Sequence, residues 1–159
     1  MSAMVDPMKA LVQLQEALDS HRVLPVRCEL HPDLQVIFDQ PLGGLRITYA
    51  HIESEKVISV SVFALADPID GVPCFNIGYA VIEDMRQRGL ATDVVSKGIE
   101  ELTNGFRRNG TEKFYIEAVV SDSNTPSNRL ARKLLSNSPV PCTDVHSGEP
   151  ALQYVRLMS

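Results

Sequence analysis

The first third of the chain changes from a helical to an alternating pattern of hydrophobic residues. Leu11, Leu14 and Leu18 follow Pro7 at helical spacing, which predicts a short amphipathic helix that ends near Ser20. From residue 23 the pattern alternates, and turn signals interrupt it at 31–32, 41–44 and 68–73. Strands are therefore predicted over 23–29, 34–38, 45–52, 56–65 and 75–82. Because their connections are short, adjacent strands are expected to pair antiparallel.

The helical pattern returns after residue 82. Hydrophobic residues at 91, 94, 95, 99, 102 and 106 predict a second amphipathic helix, which Asn109-Gly110 terminates. Residues 114–120 predict a buried strand, and Asn124 before Pro126 predicts the cap and first turn of a third helix. Residues 140–145 and 152–157 are expected to form a closing hairpin. This order predicts an α/β fold in which helices flank a mixed, largely antiparallel sheet.

Composition limits the classes of function. The 159 residues are 44% hydrophobic, which predicts one domain over 1–159 with its own core. A formal net charge of −5 argues against general binding of nucleic acids, and we expect neither a secretory signal nor a membrane-spanning segment. Three cysteines at wide spacing predict no disulfide framework, and the isolated histidines at 21, 31, 51 and 146 predict no metal site. A cytoplasmic location is therefore expected.

Residues 86–91 (RQRGLA) join a predicted strand to a predicted helix and are candidates for anion binding. Gly89 and Ala91 would let a ligand approach the backbone, and the first turn of a helix carries amides without internal partners. Arg86 and Arg88 add positive charge, so a diphosphate would be favoured there. The patterns of the P-loop and of dinucleotide-binding folds are absent. On this pattern alone, a plain basic turn is an equally good interpretation.

The surrounding sequence resembles the GNAT-type N-acetyltransferases. Residues 77–81 (IGYAV), four further residues and then RQRGLA are similar to the acetyl-CoA signature of that family, with Arg86, Gly89 and Ala91 at its three fixed positions. Residues 117–120 (EAVV), Asn124 and residues 127–133 (SNRLARK) resemble the second half of the family. They are closest to the branch that acetylates the N-termini of ribosomal proteins. The resemblance covers residues 75–135.

The resemblance implies an acetyl-CoA-dependent N-acetyltransferase that acts on a primary amine, a protein N-terminus or a small cationic amine, by direct attack in a ternary complex without a metal. The implied fold is GNAT-like, with the strands at 75–82 and 114–120 splayed to admit pantetheine. Arg129, Arg132 and Lys133 would face the 3′-phosphate of the nucleotide, or form a solvated basic face. The residues implied in binding acetyl-CoA are Val81, Ile82, Glu83, Arg86, Gln87, Arg88, Gly89, Leu90, Ala91, Thr92, Asn124, Ser127 and Asn128.

Three residues are candidates for catalysis. Glu117, inside an apolar strand, is the first candidate for a general base, and Glu83 is the second. The resemblance implies Ser127 as a hydroxyl near the sulfur. Each has a structural alternative, as an ion-paired or surface carboxylate or as a first-turn serine. The family's tyrosine, seven residues after the asparagine, is replaced by Ala131. The spare candidates for its hydroxyl are Tyr79, Tyr115 and Tyr154.

Two departures from the family keep an alternative open. Besides Ala131, Leu135-Ser136 replaces the family's Gly-Phe, so a catalytically weak or inactive module that binds acyl-CoA or a protein is the second hypothesis. Residues 86–133 hold nine Lys and Arg against six Asp and Glu, whereas the remainder holds six against fourteen. The acidic remainder predicts a cationic acceptor, attracted by charge. Pairing of two copies through the C-terminal strand is a further expectation from the family.

Overall fold

The structure is one mixed sheet with helices on both faces. The computed structural model describes residues 6–145 and 147–159, so His146 lies outside the described residues. The strands are Val26–Arg27 (β1), Leu34–Asp39 (β2), Arg46–Glu53 (β3), Lys56–Ile69 (β4), Val72–Val81 (β5), Phe114–Ser121 (β6), Val140–Thr143 (β7) and Pro150–Met158 (β8). The helices are Pro7–Asp19 (α1), Leu90–Arg108 (α2) and Thr125–Leu134 (α3). The strand order is β1-β2-β3-β4-β5-β6-β8-β7, antiparallel except between β5 and β6.

The predicted order of elements is confirmed, but two details of the prediction are wrong. The first strand is limited to Val26–Arg27, because Leu24 and Val26 point into solvent and bury nothing there. The turn predicted at 68–73 is only Asp70-Gly71, and both residues have positive φ (49° and 77°). That conformation is typical of a two-residue type I′ hairpin. The prolines on either side lie inside the strands, next to a register shift between Ala66 and Ile69.

The α1 helix covers part of one sheet face. It begins at Pro7, after Asp6 accepts a hydrogen bond from the backbone two residues on (2.9 Å). A proline at the first position and an acidic cap favour this start. Leu11 and Leu14 then pack with Val60 and other residues of β4 and β5. The face carrying Val60 is therefore named the α1 face.

The other face carries α2 and α3. Val94, Val95, Ile99 and Leu102 of α2 form the main core cluster with strands β2 to β6, including Phe63. The amphipathic pattern of residues 91–106 is thus buried as predicted. Helix α3 buries Ala131 against β6 and β8 in a smaller cluster. Among the residues that the structure describes, no helix combines the length and apolar character needed to cross a bilayer.

The parallel pair at the centre of the sheet is short. Strands β5 and β6 pair only at Cys74↔Tyr115, Phe75↔Ile116 and Asn76↔Glu117. Both strands continue for several residues beyond this point, while β5 stays paired with β4 and β6 stays paired with β8. The two halves of the sheet therefore diverge after Asn76 and Glu117. This splay, which the resemblance implied, opens a slot between Ile77–Val81 and Ala118–Ser121.

Candidate functional site

The splay forms a slot with a volume of about 370 Å³. One wall comes from β5 and the other from β6, and α3 closes the α2 side. The residues that line the slot are Pro7, Ile77, Gly78, Tyr79, Val95, Ala118, Val119, Val120, Ser121, Asn124, Ser127, Leu130, Ala131 and Leu135. Most of these side chains are apolar, so the slot suits a narrow, extended and mainly uncharged chain.

The β5 wall presents unpaired backbone groups to the slot. The Ile82 N–H donates to the carbonyl of Ile58 on β4 (3.0 Å), and an antiparallel ladder alternates in direction from residue to residue. Tyr79 and Val81 consequently direct their N–H and C=O groups away from β4, toward the side where β6 has separated. Arg86 Nε donates to the Val81 carbonyl (3.1 Å). The remaining groups can bind the amides of an extended ligand as a neighbouring strand would.

A second cavity, of about 660 Å³, lies at the N-terminus of α2. Gly89 is the N-cap with φ 76°, and no side chain caps the helix. The first intrahelical bond is from Asp93 N to Gly89 O, so the preceding amides of the first turn face the cavity end. Gln87 also has a positive φ of 64°. These amides and the positive end of the helix dipole favour an anion, so this second cavity is named the anion cradle.

Three basic residues line this second cavity, one from the junction and two from α3. They are Arg86, Arg129 and Lys133, and Asp6 is the acidic residue among the lining. Arg129 and Lys133 are one helical turn apart and share a face, whereas Arg132 lines a different, smaller cavity. Two of the three predicted basic residues of α3 are therefore brought to the anion cradle.

The two cavities meet at Tyr79 and form one groove. Tyr79, Leu130 and Pro7 line both cavities. The Tyr79 hydroxyl lies 2.6 Å from Ser127 Oγ, across the slot from β5 to α3. Ala131, at the position where the resembled family carries a tyrosine, is one turn farther along α3, where it packs in one cluster with Ala118 and Tyr154 and lines the slot. The pair of hydroxyls therefore stands where the slot joins the anion cradle.

Most predicted ligand-binding residues lie on this groove, and four do not. Val81, Arg86, Gln87, Gly89, Leu90, Ala91 and Thr92 line the cradle, and Asn124 and Ser127 line the slot. Ile82, Glu83, Arg88 and Asn128 line neither. Glu83 is exposed in a single 3-10 turn, and Arg88 points into solvent. Ile82 packs instead against the α1 cluster.

Asn128 does not line the groove but holds the backbone beside it. It is buried, and its Nδ2 donates to the carbonyls of Ser121 and Asn124 (both 2.9 Å). Its Oδ1 accepts a hydrogen bond of 2.6 Å from the buried Tyr154 hydroxyl. With its amide fully bonded to the protein, Asn128 fixes the turn between β6 and α3. Asn124 caps α3 by accepting from Ser127 N (3.2 Å), and its exposed side chain also borders the slot.

Glu117 lies at the closed end of the slot, on the α1 face. Its neighbours Ile116 and Ala118 pack toward α2 and α3, so the alternation of β6 turns Glu117 to the opposite side. Gln153 Nε2 donates to Glu117 Oε2 (2.5 Å) and fixes that carboxylate oxygen. The carboxylate is partly buried. Glu117 thus lies where the slot ends, and its side chain faces the side of the sheet opposite to α2 and α3.

No cysteine is suited to act as a nucleophile near Glu117. Burial raises the pKa of the Cys74 thiol to about 11, and the Glu117 carboxylate contributes to the rise. A thiol with such a pKa is protonated at neutral pH and is a poor nucleophile. The residues 6–145 and 147–159 also contain no group of three His, Cys, Asp or Glu side chains that could hold a metal ion.

Comparison with known proteins gives matches among solved structures alone. No protein-family model and no curated protein matches the chain. Arabidopsis thaliana NAA60 in complex with a bisubstrate analogue aligns over 99% of this chain and 98% of its own, with 14% identity and a TM-score of 0.58. A GnaT-family acetyltransferase from Bordetella pertussis aligns over 69% of this chain, with 22% identity and a TM-score of 0.51. The chain has the GNAT acetyltransferase fold.

The similar solved structures include chains longer than this one and complexes with a cofactor. The Bordetella protein is longer, and this chain spans 64% of its length. RimL, the ribosomal L7/L12 alpha-N-protein acetyltransferase in complex with coenzyme A, is also similar, with 20% identity over 71% of this chain and 62% of its own and a TM-score of 0.48. The NAA60 protein has been solved with acetyl-CoA as well. The GNAT-like fold predicted from the sequence is confirmed.

Tyr79 and Asn76 are the two site residues that sequence reasoning undervalued. Tyr79 is one of the three spare tyrosine candidates, and its hydroxyl contact with Ser127 Oγ distinguishes it from the other two. Asn76 gave a weaker signal, a polar residue between hydrophobic neighbours on a central strand. Its Oδ1 is buried beside the last β5–β6 pair and has no hydrogen-bond partner.

Proposed function

We propose that this chain is an acetyl-CoA-dependent N-acetyltransferase that acts on a primary amine. The observation that carries the proposal is the continuous groove, which joins an anion cradle at the start of α2 to an apolar slot with unpaired backbone groups. Acetyl-CoA has the matching parts in the same order: a nucleotide with phosphates, an extended arm with two amides, and a thioester. The fold shared with NAA60 supports the same assignment.

Different residues of the groove would bind different parts of acetyl-CoA. Amides at the start of α2, with Arg86, Arg129 and Lys133, would bind the phosphates. The unpaired backbone groups of Tyr79 and Val81 would bind the amides of the arm. The thioester end would then lie beyond Tyr79, near the closed end of the slot, where β5 and β6 begin to pair. The ligand would supply an activated acetyl group at that point.

Two chain groups can move the protons that acetyl transfer requires. The Glu117 carboxylate can accept a proton from the amine, directly or through one water. The Tyr79 hydroxyl, in its hydrogen bond with Ser127, can donate a proton to the departing thiolate, a role that the resembled family gives to a tyrosine on the third helix. A thiol with a pKa near 8.5 is already a fair leaving group. Tyr79 is therefore expected to help the reaction rather than to be essential.

The pKa of the acceptor amine determines what fraction of it Glu117 would have to deprotonate. At pH 7 an N-terminal amine with a pKa of about 7.8 is roughly one part in seven neutral, whereas a lysine near 10.4 is only about one part in 2,500 neutral. Gln153 Nε2 bonds one oxygen of the Glu117 carboxylate, which leaves the other oxygen to accept a proton. We therefore propose amines of low pKa, such as protein N-termini, as better acceptors than simple alkyl amines.

Isothermal titration with acetyl-CoA is the first test. The parent chain is expected to bind, and Lys133→Gln and Arg129→Gln should each weaken the dissociation constant about 2- to 5-fold, the scale of an exposed ion pair. Arg132→Gln is the matched control. This substitution removes the same charge from the same helix, but Arg132 lines a different cavity. Absence of binding at millimolar acetyl-CoA would refute the proposal.

A thiol-release assay over a panel of amines separates an enzyme from the alternative, a weak or inactive module. Glu117→Gln is expected to lower kcat about 100-fold or more, the usual contribution of a general base, with acetyl-CoA affinity unchanged. Tyr79→Phe should lower kcat about 10-fold, because the thiolate would then leave without a proton from the chain. Binding of acetyl-CoA without turnover of any amine would favour the inactive module instead.

Two further proposals concern the setting of the protein. All three cysteines are unpaired, which supports a reducing compartment such as the cytoplasm. The family resemblance suggests that two copies pair through the C-terminal strand. Here β8 lies between β6 and β7 within the sheet, so it has no free edge for a second copy. Any strand pairing between copies on that side would have to use β7, the edge strand. Size measurement in solution tests that arrangement.

A further inference from the structure

Glu117 lies between two amide side chains, one on each neighbouring strand. On the β8 side, Gln153 Nε2 donates to Glu117 Oε2 (2.5 Å). On the β5 side, Asn76 is the lateral partner of Glu117 in the last β5–β6 pair. Neighbouring strands are about 4.8 Å apart, and laterally paired residues project from the same face of a sheet. The carboxylate therefore has an amide side chain next to it on either side.

The side-chain oxygen of Asn76 is buried and has no hydrogen-bond partner. Buried polar atoms are seldom left in this state, because they have lost water without a replacement. An ionised Glu117 carboxylate offers only acceptor oxygens, so it cannot serve as the missing partner. Once Glu117 takes up a proton, the carboxyl group carries an O–H donor. The unpartnered oxygen of Asn76 is thus matched to the protonated form of Glu117.

Glu117 is held by amides rather than by a cation. Within residues 6–145 and 147–159, none of the ion pairs includes Glu117. Its charge lies close to β5, because it contributes to the raised pKa of the buried Cys74 thiol, two residues before Asn76. A cation beside a carboxylate opposes proton uptake, whereas amides can bond both forms of the group. This setting suits a carboxyl group that must gain and lose a proton.

We propose that Gln153 and Asn76 are positioning residues that hold Glu117 in its two protonation states. Gln153 donates to the carboxylate before acetyl transfer, and Asn76 Oδ1 accepts a hydrogen bond from the carboxylic acid after it. The inference rests on the proposed function, in which Glu117 is the general base, and it adds the residues that orient this base.

Each group has a defined place in the transfer. Gln153 occupies Oε2 of Glu117, which leaves Oε1 to face the amine. As the amine nitrogen bonds to the acetyl carbon, one N–H proton passes to Oε1, and the bond from that carbon to sulfur breaks. The departing thiolate takes a proton from the Tyr79 hydroxyl, which solvent restores. The new O–H of Glu117 then donates to Asn76 Oδ1 until solvent removes the proton.

The first test separates kcat from KM in the thiol-release assay. Gln153→Leu and Asn76→Leu should each lower kcat about 5- to 10-fold, the scale of one hydrogen bond to a charged group. KM for the amine and for acetyl-CoA should stay unchanged, because neither residue lines the slot. In a Glu117→Gln background, the same substitutions should change the residual rate less than about 2-fold, since residues that act through one group are not additive.

Gln35→Leu is the matched control. It removes the same amide from the same face of the sheet, but on β2, where Gln35 pairs with Ala50 of the α1 cluster. This variant should leave kcat unchanged. Variants are compared only when they share the parent's melting temperature, and Asn76→Ala replaces Asn76→Leu if the leucine does not fold.

Infrared difference spectra recorded across a pH titration give a second test, which is independent of turnover. The carbonyl stretch of protonated Glu117 is the band that Glu117→Gln removes. Hydrogen bonds lower the frequency of this band, so Gln153→Leu and Asn76→Leu should each raise it, and Gln35→Leu should not. An unmoved band, or equal slowing of the parent and of the Glu117→Gln enzyme, would overturn the inference. A parent chain that turns over no amine would refute the proposed function instead.

Discussion

Gly98 in α2 is a position where one added methyl group is expected to lower both the stability of the protein and its affinity for acetyl-CoA. It is buried against the sheet, and a Cβ there would clash with Ser61 Oγ and stand 3.2 Å from Phe63 Cε1 and 3.4 Å from Tyr49 Cδ2. The Ser61 hydroxyl cannot simply turn away, because it donates to the Val94 carbonyl (2.9 Å) in a fully buried position. Gly98→Ala must therefore displace α2 or break this bond.

The expected cost combines three effects. Overpacking a dense core costs about 1–3 kcal/mol, and loss of the Ser61 hydrogen bond adds about 1 kcal/mol. Replacing glycine by alanine inside a helix returns about 1 kcal/mol. The free energy of unfolding should thus fall by about 1–3 kcal/mol, which for a domain of this size lowers Tm by roughly 3–10 °C. Because α2 carries the cradle at its N-terminus, acetyl-CoA affinity should fall as well.

Urea unfolding and calorimetry measure this effect, with two controls. Gly105→Ala lies in the same helix with nothing within 4 Å of the added Cβ, so it should stabilise the protein by about 0.5–1 kcal/mol. In a Ser61→Ala background, Gly98→Ala should cost roughly half as much, because the closest atom is gone. A Gly98→Ala variant as stable as the parent would show that α2 does not sit as closely on β4 as the structure indicates.

Two other predictions concern titration. Asp33 has its pKa lowered by the hydrogen bond from Lys97 Nζ (2.7 Å), so its contribution to stability is present above about pH 4 and is lost as pH falls through the lowered pKa. Lys97→Met should make the acid side of the Tm–pH curve shallower, and an unchanged curve would contradict the pairing. Burial raises the pKa of Cys28 to about 12 and that of Cys74 to about 11, so at pH 8 a thiol reagent should modify the partly exposed Cys142 in the native protein and reach the other two only after unfolding.

The sequence was sufficient for the elements because each element has its own periodicity. The alternation over 34–82 and the helical spacing over 91–106 reflect which side chains are buried, and burial is a local property of a strand or helix. Asp70-Gly71 is a two-residue hairpin signal that the prediction, a turn over 68–73, did not single out. The predicted turn was too long because Pro68 and Pro73 were assigned to it. A proline next to a register shift can remain inside a strand.

The arrangement of the candidate site depends on register, which alternation does not determine. Alternation shows that Asn76 and Glu117 face one side of their strands, but not that they are lateral partners in the β5–β6 pair. The contact between Tyr79 and Ser127 joins residues that are 48 positions apart. The splay likewise has no local signal, because residues 77–81 alternate in the same way whether or not a partner strand lies beside them. Its prediction came from the family resemblance.

Under the proposed function, the sheet would also separate the binding sites of the two ligands by charge. Arg86, Arg129 and Lys133 lie on the groove side, whereas Glu117 faces the α1 side, and packed layers are about 10 Å apart. At physiological ionic strength the Debye length is about 8 Å, so each face presents mainly its own charge to an approaching ligand. Under the proposed function, an amine entering from the α1 face would not meet the three basic residues that are proposed to bind phosphate. Under the proposed function, an anionic cofactor and an amine acceptor would reach the same point from different sides of the sheet, and the three-residue β5–β6 pair would place that point near Asn76 and Glu117.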